Sequence, residues 1–238
     1  MTRDGAPHTL LADPDLEAST VVANSTMNRE RGLAGVNSYA RELGLDLGAL
    51  LRERHDERDA SDGTVRTWLD LCCGSGRALV EAASLSGVAG QAFTGVDLVD
   101  FFLPPPWPAG VAFEAASVAR WRPPAGTAYD LVTCVHGLHY VGDRLGLLTR
   151  AASWLAPGGL LVANLDLRAI RLPDGSSAAR RAATALRAAG FTYDSRRKLV
   201  ARRGPAAAEL PLTYIGADDR AGPNYTGQPA VHAYYRPD

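Results

Sequence analysis

Lysine is nearly absent from this chain: Lys198 is the only one among 25 basic residues, and the rest are arginine. Cysteine is scarce as well, limited to Cys72, Cys73 and Cys134. An odd number with two adjacent in sequence builds no disulfide scaffold and points to a reducing compartment. No stretch approaches the roughly 18 uninterrupted apolar residues of a membrane span, and Met1 to Asp15 lacks the apolar core of a secretory signal. A surplus of one charge sign is also missing. The net charge of −1 gives no bulk attraction to nucleic acid or anionic lipid. The expectation is a cytoplasmic protein that binds neither nucleic acid nor membrane, as a monomer or a homodimer.

What is present suffices for a real core: 238 residues, 46% hydrophobic and 21% charged. Residues 1–15 read as a flexible arm. From Leu16 a helical pattern follows, with Val22, Leu33, Val36, Tyr39, Ala40, Leu43, Leu47, Leu50 and Leu51 recurring at spacings of three, four and seven. Gly32, Gly35 and Gly44 divide it into short helices, giving an N-terminal helical lid over 16–62. The remainder, 63–238, alternates strands and helices. Strands are expected at Thr67–Cys72, Phe93–Leu98, Val111–Ala116, Tyr129–Val135 and Leu160–Leu165. Helices are expected at Arg77–Ser86, at Arg144–Leu155 (ended by Pro157-Gly158-Gly159) and at Ser176–Ala189, closed by Gly190. Further strands fit Lys198–Arg202, Leu210–Ile215 and Val231–Tyr235. This alternation with right-handed crossovers implies a doubly wound, Rossmann-like α/β sheet. The second crossover is an exception: Phe102-Leu103-Pro104-Pro105-Pro106-Trp107-Pro108 cannot be helical and should lie extended.

The strongest local signal is Asp70-Leu71-Cys72-Cys73-Gly74-Ser75-Gly76, between a strand and a helix. Gly74 and Gly76 permit a tight turn, and the helix N-terminus offers free N–H groups to a ligand. A dinucleotide fingerprint would need a third glycine where Leu79 stands, and the Lys-Ser/Thr pair of a P-loop is missing. Asp70 would repel a pyrophosphate but suits a cationic ligand. Asp97 closes the second strand about 20 residues on, where a carboxylate can accept both hydroxyls of a ribose.

An acid before the glycine turn and an acid ending the next strand together resemble the class I S-adenosylmethionine-dependent methyltransferases, over roughly 66–190. The resemblance implies a mostly parallel seven-stranded sheet, S-adenosylmethionine as cofactor and no metal. Carried over by position, Asp70, Cys72, Gly74 and Gly76 would surround the methionine end, and Asp97 would bind the ribose. Leu98 would pack on adenine, beside Ser117 and Val118. Cys72 departs from the glycine many members carry, and Ser117 replaces an acid that often reads the adenine amine. A bare strand-to-helix turn and a helix-capping Asp97 are the plainer readings of the same residues.

The fourth strand leads into Cys134-Val135-His136-Gly137-Leu138-His139-Tyr140. Its C-terminal end should open beside the reactive methyl, with Cys134 at the strand terminus. Leu138-His139-Tyr140 is similar to the segment found here in ubiquinone/menaquinone-type methyltransferases acting on small molecules. His136 or His139 would take a proton from the acceptor, or merely pack and hydrogen bond. Asn28, Arg29 and Arg31 in the lid, with Tyr39, Tyr140 and Tyr225, are the candidate acceptor contacts; Gly216–Tyr235 reads as a substrate-facing C-terminal loop. The expected activity is methyl transfer to an oxygen or nitrogen of a small-molecule acceptor. The alternatives are methylation of a peptide or protein side chain or terminus, and a module that binds the cofactor without transferring.

Overall fold

The computed structural model describes residues 9–23, 30–47, 49–50, 66–86 and 90–238. Asn28 and Arg29, and the end of the expected lid at 51–62, lie outside them. The chain is organised around β1 (Arg66–Leu71), whose residues Trp68 to Leu71 are all buried. A strand buried on both faces belongs at the centre of a parallel sheet. It pairs in parallel with β2 (Gln91–Asp97) on one side and β4 (Tyr129–Cys134) on the other. With β3 (Val111–Ala115), β5 (Leu155–Asn164), β7 (Thr192–Asp194) and β8 (Leu199–Arg203), the order is β3-β2-β1-β4-β5-β8-β7. Only the β8 pairings are antiparallel. This is the expected seven-stranded, mostly parallel doubly wound sheet. The chain reverses its winding direction between β1 and β4, and a cleft opens beyond their C-terminal ends.

Apolar clusters cover both faces of the sheet. One contains Trp121, Leu145, Leu148, Leu186 and Tyr235; the other contains Tyr39, Leu43, Leu47, Trp68, Leu79 and Phe93. The helices supplying these side chains are short: α1 (Asp13–Glu17), α2 (Tyr39–Leu43), α3 (Arg77–Ser86), α4 (Arg144–Ser153) and α5 (Ala179–Ala188). The crossover from β2 to β3 is extended, as its prolines require. Leu103 N–H donates to Ser75 O, and the Phe102 and Trp107 rings pack on Phe113 at 4.9 Å.

Several boundaries depart from the sequence reading. Helix α4 ends at Ser153 because Trp154 O already accepts the Tyr129 N–H. Pro157-Gly158-Gly159 then lies within β5, opposite a register shift between Tyr129 and Leu131, with Gly158 at φ +72°. Helix α5 starts at Ala179 because Asp174 holds the N–H and hydroxyl of Ser176 in a turn. Gly190 (φ +80°) closes it as expected, with Phe191 N–H reaching back to Leu186 O. Val36, counted on an apolar face, is 81% exposed because residues 30–38 form bends rather than helix.

The larger difference is a second sheet, β6 (Ile170–Arg171), β10 (His232–Pro237) and β9 (Leu212–Asp218), in the order β6-β10-β9. Only the two ends of the expected C-terminal loop, 216–218 and 232–235, are strand, and 219–231 connects them. This sheet also anchors the chain expected to be a loose arm. Leu11 bridges to Ala217, the Tyr214 hydroxyl donates to Asp13, and Leu16 is buried with Val22, Ala217 and Val231.

Gly76 serves the fold rather than ligand approach. Its φ is +73°, and a Cβ there would meet the Phe113 ring at 2.0 Å. Gly76→Ala should lower stability by roughly 2–4 kcal/mol, from ring displacement and left-handed strain together. A urea midpoint equal to wild type would refute that account.

Candidate active-site cleft

Two adjacent strand ends build the cleft floor with the same backbone device. Cys72 follows β1 at φ +58° and His136 follows β4 at φ +60°, a left-handed conformation that costs a side-chain-bearing residue roughly 1–2 kcal/mol. This explains why glycine suits position 72. Gly137 fits between these ends because a Cβ would meet Cys72 Cβ at 2.3 Å and Cys134 Sγ at 2.9 Å. The Cys72 thiol is held protonated by its hydrogen bond to Cys134 and by burial.

The cleft encloses a cavity of about 120 Å³. Of the expected cofactor contacts, Cys72, Gly74, Asp97, Leu98, Ser117 and Val118 line it. Asp97 accepts the N–H of Gly74 at 2.9 Å and that of Val99 at 3.3 Å, fixing its carboxylate at the end of β2. Asp70, Gly76 and Cys134 do not line it. Cys134 sits beneath Cys72, and Asp70 is sealed a layer behind the loop. There it accepts hydrogen bonds from Tyr39 (2.7 Å) and Thr133 (2.6 Å), and Thr133 accepts from Trp68 (2.8 Å).

Among the expected acceptor contacts, Arg31, Tyr39, His136, His139 and Tyr140 line the cleft. Tyr225 does not, but its ring covers both imidazoles, at 6.2 Å from His136 and 5.4 Å from His139. The two histidines differ. His136 Nε2 lies 2.8 Å from Glu42 Oε2, and this hydrogen bond is the main influence lowering the Glu42 pKa. His139 is pushed down to about 3, chiefly by burial, so it is neutral throughout the physiological range. Its carbonyl accepts from Val231 N–H, and Val231 O accepts from the fully buried Arg144.

Sequence reasoning missed Glu42, Glu17 and Arg144. Glu42 stands three residues beyond Tyr39, one helical turn, which was a usable signal. Glu17 had none: it lines the cleft and accepts a short hydrogen bond from Ser117, with Arg120 pairing at 3.0 Å. Asn224, Thr226 and Gln228 from the β9–β10 connection complete the wall. Among the described residues, no group of three His, Cys, Asp or Glu side chains is placed to hold a metal, and no helix is long and apolar enough to cross a membrane.

A family model for a methyltransferase domain matches residues 38–200. No curated protein matches the chain. Solved structures are similar at low identity. The plantazolicin methyltransferase BpumL, in complex with a monoazolic desmethylPZN analog and SAH, is 13% identical at a TM-score of 0.40, covering 49% of this chain and 43% of that one. CalS10 from Micromonospora echinaspora, an amino pentose methyltransferase involved in calicheamicin biosynthesis, is 23% identical at 0.35, covering 52% of each chain. This chain thus spans about half the length of these solved structures.

The burial of Asp70 has a measurable consequence. Desolvation, only partly offset by the Thr133 and Tyr39 hydrogen bonds, raises its pKa to about 7, whereas an unfolded aspartate titrates near 3.9. Between those values the folded chain holds the extra proton, so stability falls as pH rises through the window. His139 acts in the opposite sense but only below its unfolded pKa of about 6.5. From pH 6.5 to 8, wild type should lose about 1 kcal/mol that Asp70→Asn does not lose. Parallel urea midpoints for the two proteins over that range would disprove the assignment.

Proposed function

Because the chain belongs to the methyltransferase domain family, we propose that it transfers a methyl group from S-adenosylmethionine to an oxygen or nitrogen of a small acceptor group. The residues present fit that cofactor. Asp97 is a buried carboxylate in the cleft wall that accepts the N–H groups of Gly74 and Val99, and a carboxylate is the acceptor type that suits ribose hydroxyls. Leu98 and Val118 offer an apolar slot beside Ser117, and the left-handed turn at Cys72 leaves backbone groups of the loop to the methionine end. Asp70, sealed under Tyr39, acts on that end only through the loop it supports. Bound S-adenosylmethionine supplies a methyl carbon on a positively charged sulfur.

The observation that carries the reading is the His136 imidazole in the cleft wall, with Glu42 hydrogen bonded to it. With Nε2–H donating to Glu42, Nδ1 of His136 keeps its lone pair and can take the acceptor's proton. Glu42 fixes the ring and stabilises the imidazolium that results. His139, neutral and deeply buried, is a poor base; it shapes the pocket with Tyr140 and Tyr225. Alignment of acceptor and methyl carbon contributes most to rate, roughly 7–11 kcal/mol. The base adds about 10²–10⁴-fold. The Leu138-His139-Tyr140 segment supports a small-molecule subtype similar to the ubiquinone/menaquinone methyltransferases.

Three measurements test this. Asp97→Ala should weaken S-adenosylhomocysteine binding by about tenfold or more, the loss of a charge-assisted bond to ribose; unchanged affinity by calorimetry would remove the ribose role. His136→Ala should lower kcat about 10²–10⁴-fold with cofactor affinity retained. Glu42→Gln should lower kcat with cofactor affinity retained, because the imidazole loses the carboxylate that orients it. Full activity of His136→Ala from pH 6 to 9 would dismiss the base.

A further inference from the structure

The basic residues are unevenly placed. Residues 164–203 contain ten cations and three acids, a net +7 within a chain of net −1. The remainder is therefore strongly acidic, and the positive charge is concentrated on the last strands of the main sheet and on α5. Topology brings five of these cations to the cleft edge. β8 is antiparallel to β5 and β7 antiparallel to β8, so β7 runs with β1 and β4. The turn after β7, holding Arg196 and Arg197, thus lies at the edge where the cleft opens. Helix α5 leads directly into β7, and Ala178 N–H donates to Ile170 O just beyond β5. Its first turn, with Arg180 and Arg181, shares that edge, as does Arg168 in the short turn after β5.

Contact with the lid ties this rim to the cleft. A Cβ on Gly44 would collide with the Arg197 guanidinium, and Gly44 caps α2, which carries Tyr39 and Glu42. All five arginines are exposed. None forms an ion pair among the described residues. The three acids of the segment also meet other groups: Asp194 accepts the N–H groups of Arg196 and Arg197, whose charges help hold its pKa down, Asp174 accepts from Ser176, and Asp166 accepts the Arg168 N–H and lies 3.7 Å from Lys198. Arginines in the first turn of α5 also oppose the helix dipole, so the fold gains nothing from their placement.

We infer that this arginine rim docks a short acidic peptide segment whose attached acceptor group enters the cleft. Guanidinium forks match carboxylates. The rim is small, and the chain beyond it is acidic, so a longer polyanion such as a nucleic acid would run onto repelling surface. The inference rests on the methyl-transfer reading only in treating the cleft as the acceptor's entrance. It refines the acceptor: small where it enters, acidic outside.

A fluorescein-labelled hexaglutamate peptide is the probe, read by anisotropy on the full chain with S-adenosylhomocysteine affinity measured alongside. Wild type should bind it at about 25 mM salt and release it near 250 mM. Arg180→Glu with Arg196→Glu should weaken binding by about tenfold or more. Arg187→Glu with Arg203→Glu, at the opposite end of α5 and of β8, should change it less than about twofold. Absence of binding at low salt, equal effects of the two charge reversals, or tighter binding of a single-stranded oligonucleotide of equal charge each overturns the proposal. Failure of S-adenosylhomocysteine to bind would instead overturn the methyl-transfer reading, leaving the rim result to stand by itself.

Discussion

One buried hydrogen-bond chain lies beneath everything the cleft does. Trp68 donates to Thr133, Thr133 and Tyr39 both donate to Asp70, and none of these groups meets solvent. The chain joins β1, β4 and α2, the three elements that bound the cleft. Its members satisfy one another so fully that removing any donor would leave a buried acceptor unpaired, at about 1–3 kcal/mol. Asp70 thus holds the two strand ends and the lid helix in one register. The left-handed turns at Cys72 and His136 start from ends fixed in this way, so the strain they carry is borne by a rigid base.

Helix α2 makes two contacts at once. Tyr39 and Glu42 stand one turn apart on α2: Tyr39 reaches down to Asp70, and Glu42 reaches across to His136. Docking the helix and orienting the imidazole are therefore one event. The N-terminal segment works similarly on the other side, where Asp13 is held by Tyr214 and Glu17 meets Ser117. Chain that precedes the sheet thus contributes to the cleft beside the strand ends and the β9–β10 connection.

The parts of this arrangement that were legible in the sequence are those set by local rules. Helix α3 has the expected bounds because a strand, a glycine turn and an apolar period follow one another without interruption. The non-helical crossover was legible because four prolines within five residues exclude a helix. Asp97 was placed by its distance from the glycine turn. What escaped reading depends on contacts between distant segments. Asp70 was read as facing a ligand because its strand position suggests it; only the packing of Tyr39, 31 residues earlier, turns it inward. Residues 9–15 looked unattached because their partners, Tyr214 and Ala217, lie at the other end of the chain. Glu17 beside Ser117 has no periodicity or spacing that announces it.

Electrostatics divides the cleft along the same line. The side that fits the cofactor collects carboxylates, with Asp97 and Glu17 in the wall and Asp13 close by. The acceptor side holds Arg31 and the imidazoles, and beyond them the arginine rim. On the proposed reading, a cationic sulfonium would be attracted to the first side and a product that has lost its positive charge would be attracted less. The proposed acidic segment would be repelled by the first side and held at the second. With a net charge of −1, none of this is visible in the total. It arises from where the fold places residues 9–17 and residues 164–203 around one buried carboxyl group.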